Sequence, residues 1–577
     1  MKITLNNIIV DAKPGQTILE VAKENGVNIP TLCHLDMHSI DMINTVGTCR
    51  VCMVEIEGRW SLAPSCVTEV WDGMVVHTST PRAITARRTM IELLLSNHPK
   101  DCLFCERSNK CELQDLAANL SIHENRFEGK MSKHEIDKSS FSMIRNAEKC
   151  VLCRRCETMC NEVQTVGTYS AVHRSLEATI GTAFDYPLID TSCTFCGQCV
   201  SVCPTGALTY VNNTSDVWEV LNNKDKVVIV QTAPAVRVAL GEEFGAAPGT
   251  RVTGKMVAGL RRLGFNHVYD TDFAADLTIM EEAHELVERI KNGGRLPMLT
   301  SCCPAWVKFI EHQFPALLDI PSTCKSPHEM FGAIAKTYLA EKLGVDPAKI
   351  VVVSIMPCLA KKYESARAEL AEHGMQNVDY VLTTRELASM MRESGINFNS
   401  LPEEEFDKVM GYSSGAGVIF GTTGGVIEAA VRTAASWLGG GTISNVDFES
   451  LRGQEGIRAA TVKVGDMELR IGIAHGLGHA RTLLENIRDG KCQYHAIEIM
   501  ACPGGCVGGG GQPYYHNDRA VVEARAKALY EEDKDKPIRC SHENPEIKAL
   551  YDEFLGKPGS HKAHELLHTG FTKREKL

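Results

Sequence analysis

The chain opens on a short apolar alternation, Ile3 and Leu5 followed by Ile8 and Val10, interrupted at Asn6-Asn7. Period-two spacing predicts half-buried strands, and paired asparagines between them predict a tight turn, because asparagine tolerates positive φ. Amphipathic stretches from about Thr17 to Glu24 and from Ile84 to Leu95 predict helices, so the first 80 residues read as a small β-rich domain with one helix. From Val227 the pattern changes. The run Val227-Val228-Ile229-Val230 predicts a strand buried on both faces, 253–263 and 277–290 read as helices, and Val351 to Ile355 as another strand. Strands alternating with helices predict parallel sheets covered by helices. The segment 212–226 reads as the connection between the halves. Gly476-Leu477-Gly478 reads as a turn, since the third glycine of a dinucleotide loop is missing.

No stretch approaches the roughly 18 unbroken apolar residues a membrane span needs. At 577 residues the chain has room for about three to four domains. Its net charge of -11 argues against a nucleic-acid partner. The amino terminus shows neither a secretory nor a twin-arginine leader, which places the protein in the cytoplasm. There, 23 cysteines, 15 of them within the first 203 residues, point to metal rather than disulfides.

The spacings sort these cysteines into groups. Cys33, Cys49-x2-Cys52 and Cys66 offer four thiolates and suit a 2Fe-2S centre; a four-cysteine zinc site would usually bring a second C-x2-C knuckle. The first gap is longer than in the plant-type ferredoxin signature. His98-x3-Cys102-x2-Cys105-x5-Cys111 leaves one coordination position open, and on spacing alone His98 is as readily a surface residue as a ligand. Cys150-x2-Cys153-x2-Cys156-x3-Cys160 repeats after 43 residues as Cys193-x2-Cys196-x2-Cys199-x3-Cys203-Pro204. In such two-cluster runs the fourth cysteine crosses over, so one 4Fe-4S cluster takes Cys150, Cys153, Cys156 and Cys203, and the other Cys193, Cys196, Cys199 and Cys160. Asn161 stands where the first run's proline belongs. Four centres in a row form an electron wire, with a partner at its outer end and chemistry at its inner end.

In the remaining two thirds, Cys303, Cys358, Cys502 and Cys506 are candidates for one further 4Fe-4S cluster. A glycine run around Cys506 suggests a bulky group beside it, because glycine lets backbone approach a ligand closely.

Three motifs here, Thr300-Ser301-Cys302-Cys303-Pro304, Met356-Pro357-Cys358-Leu359-Ala360-Lys361-Lys362 and Met500-Ala501-Cys502-Pro503-Gly504-Gly505-Cys506, resemble the signatures of the iron-only (FeFe) hydrogenases. The amino-terminal part resembles that family's four-cluster accessory region, itself related to the start of the iron-sulfur subunit of respiratory complex I. The tail, with Gly556-Lys557-Pro558-Gly559 and His564-Glu565-Leu566-Leu567-His568, is also similar. The resemblance implies a multidomain α+β protein. Its parts are a β-grasp 2Fe-2S domain (1–80), a 4Fe-4S domain with one histidine and three cysteine ligands (81–140) and a two-cluster ferredoxin domain (141–212). An α/β H-cluster domain with parallel sheets flanked by helices (227–510) and a small-subunit-like tail wrapping it (511–577) follow. The resemblance also implies His98 as a cluster ligand.

The same resemblance implies reversible H2 oxidation and proton reduction at an H-cluster, a 4Fe-4S cluster joined to a diiron unit bearing CO, cyanide and azadithiolate. Its ligands here are Cys303, Cys358, Cys502 and the bridging Cys506. Lys361 then donates to a cyanide, Met356 packs beside the diiron unit, and Pro234 and Gly505 complete the contacts. Protons pass along Cys302, Glu282, Ser322 and Glu285 to Arg289. Glu282, Glu285 and Arg289, at i, i+3 and i+7, share a helix face, as a plain salt-bridged face also would. Pro503, Ala235 and His328 depart from the histidine, serine and glutamine of some monomeric members, and Cys324 reads as a buried, inert thiol, the alternative being a sulfur that approaches the open iron under oxidation.

The wording around Cys153-Arg154-Arg155-Cys156-Glu157-Thr158-Met159-Cys160-Asn161 is similar to the catalytic subunit of multimeric NAD(P)-linked, often electron-bifurcating, hydrogenases of anaerobes. The partners expected from this are flavin- and NAD(P)-binding and 2Fe-2S subunits in a hetero-oligomer, with ferredoxin as a further electron partner. The competing readings are a stand-alone ferredoxin-dependent hydrogenase and a non-catalytic assembly or H2-sensing relative; Cys302, Lys361 and the intact third motif speak against the latter.

Overall fold

Asn6 and Asn7 both adopt left-handed backbone (φ 50° and 70°) and turn the strand Lys2–Leu5 back along Ile8–Asp11. The computed structural model describes residues 1–37, 42–372, 374–439, 446–464 and 467–575. The first strands belong to a five-stranded mixed sheet ordered Ile8–Asp11, Lys2–Leu5, Val75–His77, Met53–Ile56, Ala63–Pro64, with a parallel pair inside it. A short helix, Ile18–Glu24, starts at Thr17 through a reciprocal capping box with Glu20 and buries Ile18, Val21 and Ala22 against the sheet. This is the β-grasp arrangement expected for the first domain.

The next helix, Pro81–Ser96, begins earlier than the apolar pattern alone indicates. Thr80 caps it and Pro81 takes its first position, where a missing N–H costs nothing. In the two-cluster region, the 43-residue repeat is also a repeat of backbone. Leu152 and Phe195 (φ 54° and 56°) and Arg154 and Gly197 (φ 62° and 75°) take left-handed conformations at matching positions. Each turn is followed by a short helix, Arg155–Thr158 or Gln198–Val202.

Beyond residue 226 lie two four-stranded sheets. The first, ordered His267–Asp270, Val227–Thr232, Ile350–Met356, Tyr380–Thr383, is parallel throughout and largely buried, as its unbroken apolar strands require. The second is ordered Met298–Leu299, Ala496–Met500, Met467–His475, Ile457–Val464. Its last pair is an antiparallel hairpin, which corrects the expectation of purely parallel sheets. The 21-residue helix Thr271–Lys291, capped by Asp270, is buried over most of its length. The segment 212–226 is not a simple connection: it contains the helix Thr214–Asn222, tied to the residues beyond 226 by the Trp218 indole donating to Glu393 at 2.8 Å. Among the described residues no helix is long and apolar enough to cross a membrane.

Candidate active site

The carboxyl ends of strands from both sheets meet at a cavity. Pro234 follows Val227–Thr232, Met356 and Cys358 follow from Ile350–Met356, and Cys502 lies just past Ala496–Met500. Cys302 and Cys303 follow Met298–Leu299. Strand ends are where a parallel sheet leaves backbone free to build a site. The structure thus brings Cys303, Cys358, Cys502 and Cys506, which lie far apart in sequence, to one cavity with Cys302, Met356, Lys361, Pro234 and Gly505.

Cys303 stands at the amino-terminal cap of the ten-residue helix Pro304–Gln313, whose dipole favours negative charge on its sulfur. Burial, with Cys303 alongside, pushes the Cys358 thiol up to about 12 and raises Cys303 and Cys502 as well. Four such thiolates are held together only by a positively charged group among them, and the donor set therefore fits an iron-sulfur cluster. Apart from Thr271, His328 and Lys361, the rest of the wall is apolar, with Met356, Pro234, Phe420 and Met500. Lys361 is the lysine of this wall. Its ammonium donates to Glu364 at 2.6 Å and to the Cys302 carbonyl at 3.2 Å, and among the described residues these engage two of its three donors.

Two acidic residues behind this wall escaped the sequence reading. Glu364 holds Lys361 from one side and His328 from the other, through Nε2 at 2.7 Å, and Glu329 lies 3.0 Å from the same His328 nitrogen. The i, i+3 spacing of Lys361 and Glu364 is the signal that could have found the first. Of the three departures from the family pattern, His328 lines the cavity.

Glu282 is fully buried, and neither carboxyl oxygen has a hydrogen-bond partner among the described residues. Burial, with Glu285 beside it, pushes its carboxyl up to about 8. Cys302 is buried too, its thiol raised first by burial and then by Glu282. Further out, the Ser322 hydroxyl donates to Glu285 at 2.7 Å. Arg289 pairs with Glu285 and donates to the Ile320 and Pro321 carbonyls at 2.7 and 3.2 Å. Glu285 and Arg289 are half-buried, at the outer end of this row. Cys324 is buried beside it, its N–H donating to the Ser322 hydroxyl at 3.2 Å.

The accessory cysteines are joined by shared packing. Leu32, Cys33, Cys49, Cys111, Val151 and Cys153 belong to one apolar cluster. Asn44 donates to the carbonyls of both Cys33 (2.6 Å) and Cys153 (3.0 Å), and Arg107 to that of Cys203 (2.9 Å). The Cys33 group and Cys111 therefore both pack against Cys153 of the first ferredoxin run, and the Cys102–Cys111 segment also reaches Cys203 through Arg107. Cys52 and Cys66 sulfurs lie 3.4 Å apart, and backbone N–H groups of Leu152, Phe195 and Thr168 donate to the sulfurs of Cys150, Cys193 and Cys160 at 3.4–3.5 Å. Such N–H to sulfur bonds suit thiolates holding a cluster. His98 is buried, its Nδ1 has no partner among the described residues, and burial lowers its pKa to about 4, so it presents a neutral lone pair at the pocket it shares with Cys102, Cys105 and Cys111.

Lys362 is as buried as Lys361 and donates to Glu386, Asn213 and the Val381 carbonyl at 2.6–2.9 Å. The glycine run serves close protein packing as well as the cavity, which Gly505 and Gly509 line. A Cβ on Gly509 would lie 2.2 Å from the Pro357 carbonyl, and one on Gly510 2.8 Å from Gly197 of the ferredoxin region. That contact, with Gln198 donating to the Gly508 carbonyl at 3.0 Å, seats the second cysteine run against the Cys502–Cys506 loop.

The family description "Iron only hydrogenase large subunit, C-terminal domain" matches residues 226–510, and "Iron hydrogenase small subunit" matches 519–574. Upstream, a 2Fe-2S cluster binding domain matches 1–81, the NADH-ubiquinone oxidoreductase-G iron-sulfur binding region 87–126, and a 4Fe-4S binding domain 186–209. The chain is 56% identical to NADP-reducing hydrogenase subunit HndD of Solidesulfovibrio fructosivorans over the full length of both. It is 37% identical to Iron hydrogenase 1 of Clostridium pasteurianum, covering 99% of this chain and 100% of that one. A solved structure of FeFe-hydrogenase HydA1 from Chlamydomonas reinhardtii matches with 42% identity and a TM-score of 0.57, over 63% of this chain and 99% of that one. With its clustered cysteines, its cavity and these relatives, the chain belongs to the iron-only (FeFe) hydrogenase family and is an oxidoreductase acting on H2.

Proposed function

We propose that this chain is the hydrogen-activating subunit of a cytoplasmic, multi-subunit, NAD(P)-linked hydrogenase. In this reading Cys303, Cys358, Cys502 and Cys506 hold the H-cluster, with Met356, Lys361, Pro234 and Gly505 around it. The convergence of four distant thiols, Cys302 and Lys361 on one cavity is the observation that carries it. Bound there, the H-cluster supplies a reversible two-electron site for splitting H2 or forming it. The division at 1–80, 81–140, 141–212, 227–510 and 511–577 and the four accessory ligand sets, His98 included, belong to the same reading.

The chain's own residues move the proton. The Cys302 thiol, too buried to ionise at neutral pH, stays a neutral donor and acceptor. Glu282 passes the proton outward, and Ser322 relays it to Glu285 beside Arg289. Because the Glu282 carboxyl is raised to about 8, it carries a proton at neutral pH and loses it above. Turnover is therefore expected to fall on an alkaline limb centred near pH 8 in rate profiles, and Glu282→Gln to lose most activity at every pH. An unchanged profile in that variant removes Glu282 from the route.

The absence of a dinucleotide motif puts pyridine nucleotide chemistry on a partner, and HndD is by its name a subunit of an NADP-reducing enzyme. Leu103 and Phe104, on the turn between Cys102 and Cys105, are 90% exposed, which supports a docked flavin- or 2Fe-2S-carrying subunit, or ferredoxin, at that end of the wire. The test is affinity isolation of the native chain under anaerobic conditions. Co-purifying flavoprotein and H2-dependent NAD(P)+ reduction, absent for the chain alone, are expected; a lone monomer turning over with ferredoxin overturns the assignment.

A further inference from the structure

We infer that Glu285, Cys324 and His568 form a binding site for a thiophilic divalent cation, Zn2+ or Cd2+, whose occupation closes the proton exit. One carboxylate oxygen, one sulfur and one imidazole nitrogen from these residues lie within 4.8 Å of one another. Mixed sulfur, nitrogen and oxygen donors in this number suit zinc, with water in the fourth position.

The site is framed from three directions. Glu285 projects from the helix Thr271–Lys291. Cys324 and His568 face each other as an antiparallel bridge, held by Lys325 N–H donating to the Leu567 carbonyl (2.8 Å) and Thr569 N–H to the Thr323 carbonyl (2.7 Å). The ligand geometry therefore rests on backbone rather than on free side chains.

His568 is also oriented as a metal-bound histidine would be. Its Nε2 lies 3.1 Å from the Glu281 carboxylate, which Tyr551 and the Gly559 N–H (2.9 Å) anchor in turn. A carboxylate behind the imidazole is the usual support for a metal ligand. This leaves Nδ1, which now meets the Thr323 hydroxyl at 2.8 Å, a group that can rotate away. Three carboxyls, Glu285, Glu282 and Glu281, surround the Cys324 thiol, while Arg289 is the cation paired with Glu285. Binding forms a metal-sulfur bond, breaks the S–H bond and releases that proton to solvent, with no change of oxidation state.

The Glu285 oxygen that accepts from Ser322 also accepts from the Thr323 N–H (3.3 Å). A cation on that carboxylate removes the acceptor to which Ser322 hands a proton. This consequence rests on the proton route proposed above; the metal site itself does not.

The test uses the anaerobic holoenzyme, ZnCl2 or CdCl2 alone as the probe, equilibrium dialysis with metal analysis, and dye-linked H2 evolution. Wild type is expected to retain one more zinc per chain than either Cys324→Ala or His568→Gln. Zinc is expected to inhibit wild type reversibly, with relief by EDTA, and each variant roughly tenfold more weakly or not at all. Without metal, both variants should turn over like wild type. Equal zinc content in all three proteins overturns the site. Zinc retained by wild type at this site without inhibition overturns the closing of the exit, and with it the Glu285 route, while the site stands.

Discussion

Cys302→Ala is expected to lower dye-linked H2 evolution by about 10²- to 10⁴-fold, the range a positioned proton carrier contributes. The thiol lines the cavity between the four convergent cysteines and Glu282, and alanine offers nothing that gains or loses a proton. Cys302 is the neighbour of Cys303 but is not itself among the proposed ligands. The variant, made with the family's maturation proteins, should therefore keep the CO and cyanide infrared bands of an assembled cofactor. Bands kept and activity lost separate a transport defect from an assembly defect. Full activity in the variant takes Cys302 out of the route.

Lys361→Ala is expected to cost stability and cofactor retention together. The Lys361 ammonium and Glu364 carboxylate are both buried and 2.6 Å apart. Removing one partner of a buried pair leaves the other uncompensated, at about 3–5 kcal/mol. His328 and Ser326, bonded to Glu364 at 2.7 and 3.0 Å, keep the effect near the lower end. Anaerobic denaturant unfolding measures the loss, and infrared band intensity per chain measures retention.

The pH dependence adds a sign. Burial alone would raise the Glu364 carboxyl, but Lys361 and His328 hold it down to about 2, below the ordinary 4.5. A depressed carboxyl contributes stability above 4.5 that is lost as pH falls toward 2. Wild type should lose that contribution across this acid window, and Lys361→Ala should show a smaller loss. Equal slopes would mean that Lys361 does not set the charge of Glu364.

How far the site can be read from the chain depends on the range of the interactions that build it. The ferredoxin runs are legible because three cysteines of each run sit within seven residues, on one turn whose left-handed positions repeat with the cysteines. The Asn6-Asn7 hairpin, the capping box at Thr17 and the strand Val227–Thr232 are legible for the same local reason. The motifs around Cys303, Cys358 and Cys502 are visible as text, but spacing says nothing of their meeting.

Other features have no local signature. The antiparallel edge of the second sheet, the contacts of the Cys33 and Cys102–Cys111 segments with the ferredoxin runs and the burial of Lys362 follow from which surfaces meet, not from neighbours in the chain. Gly510 shows the difference most plainly. In sequence it is one glycine among several beside a suspected ligand; in the fold, it is where the electron relay touches the active-site loop.

By itself, then, the sequence determined the metal chemistry, the number of cysteine groups and the local elements that carry them, because thiolate spacing and backbone preference act within a few residues. Only the tertiary structure decided that four distant thiols share a cavity with Lys361 and Cys302, that Glu364 joins that lysine to His328, and that Cys324 faces His568 beside Glu285. Those contacts join parts of the chain tens to hundreds of residues apart. Burying the two sheets and the long helix against one another is what brings them together.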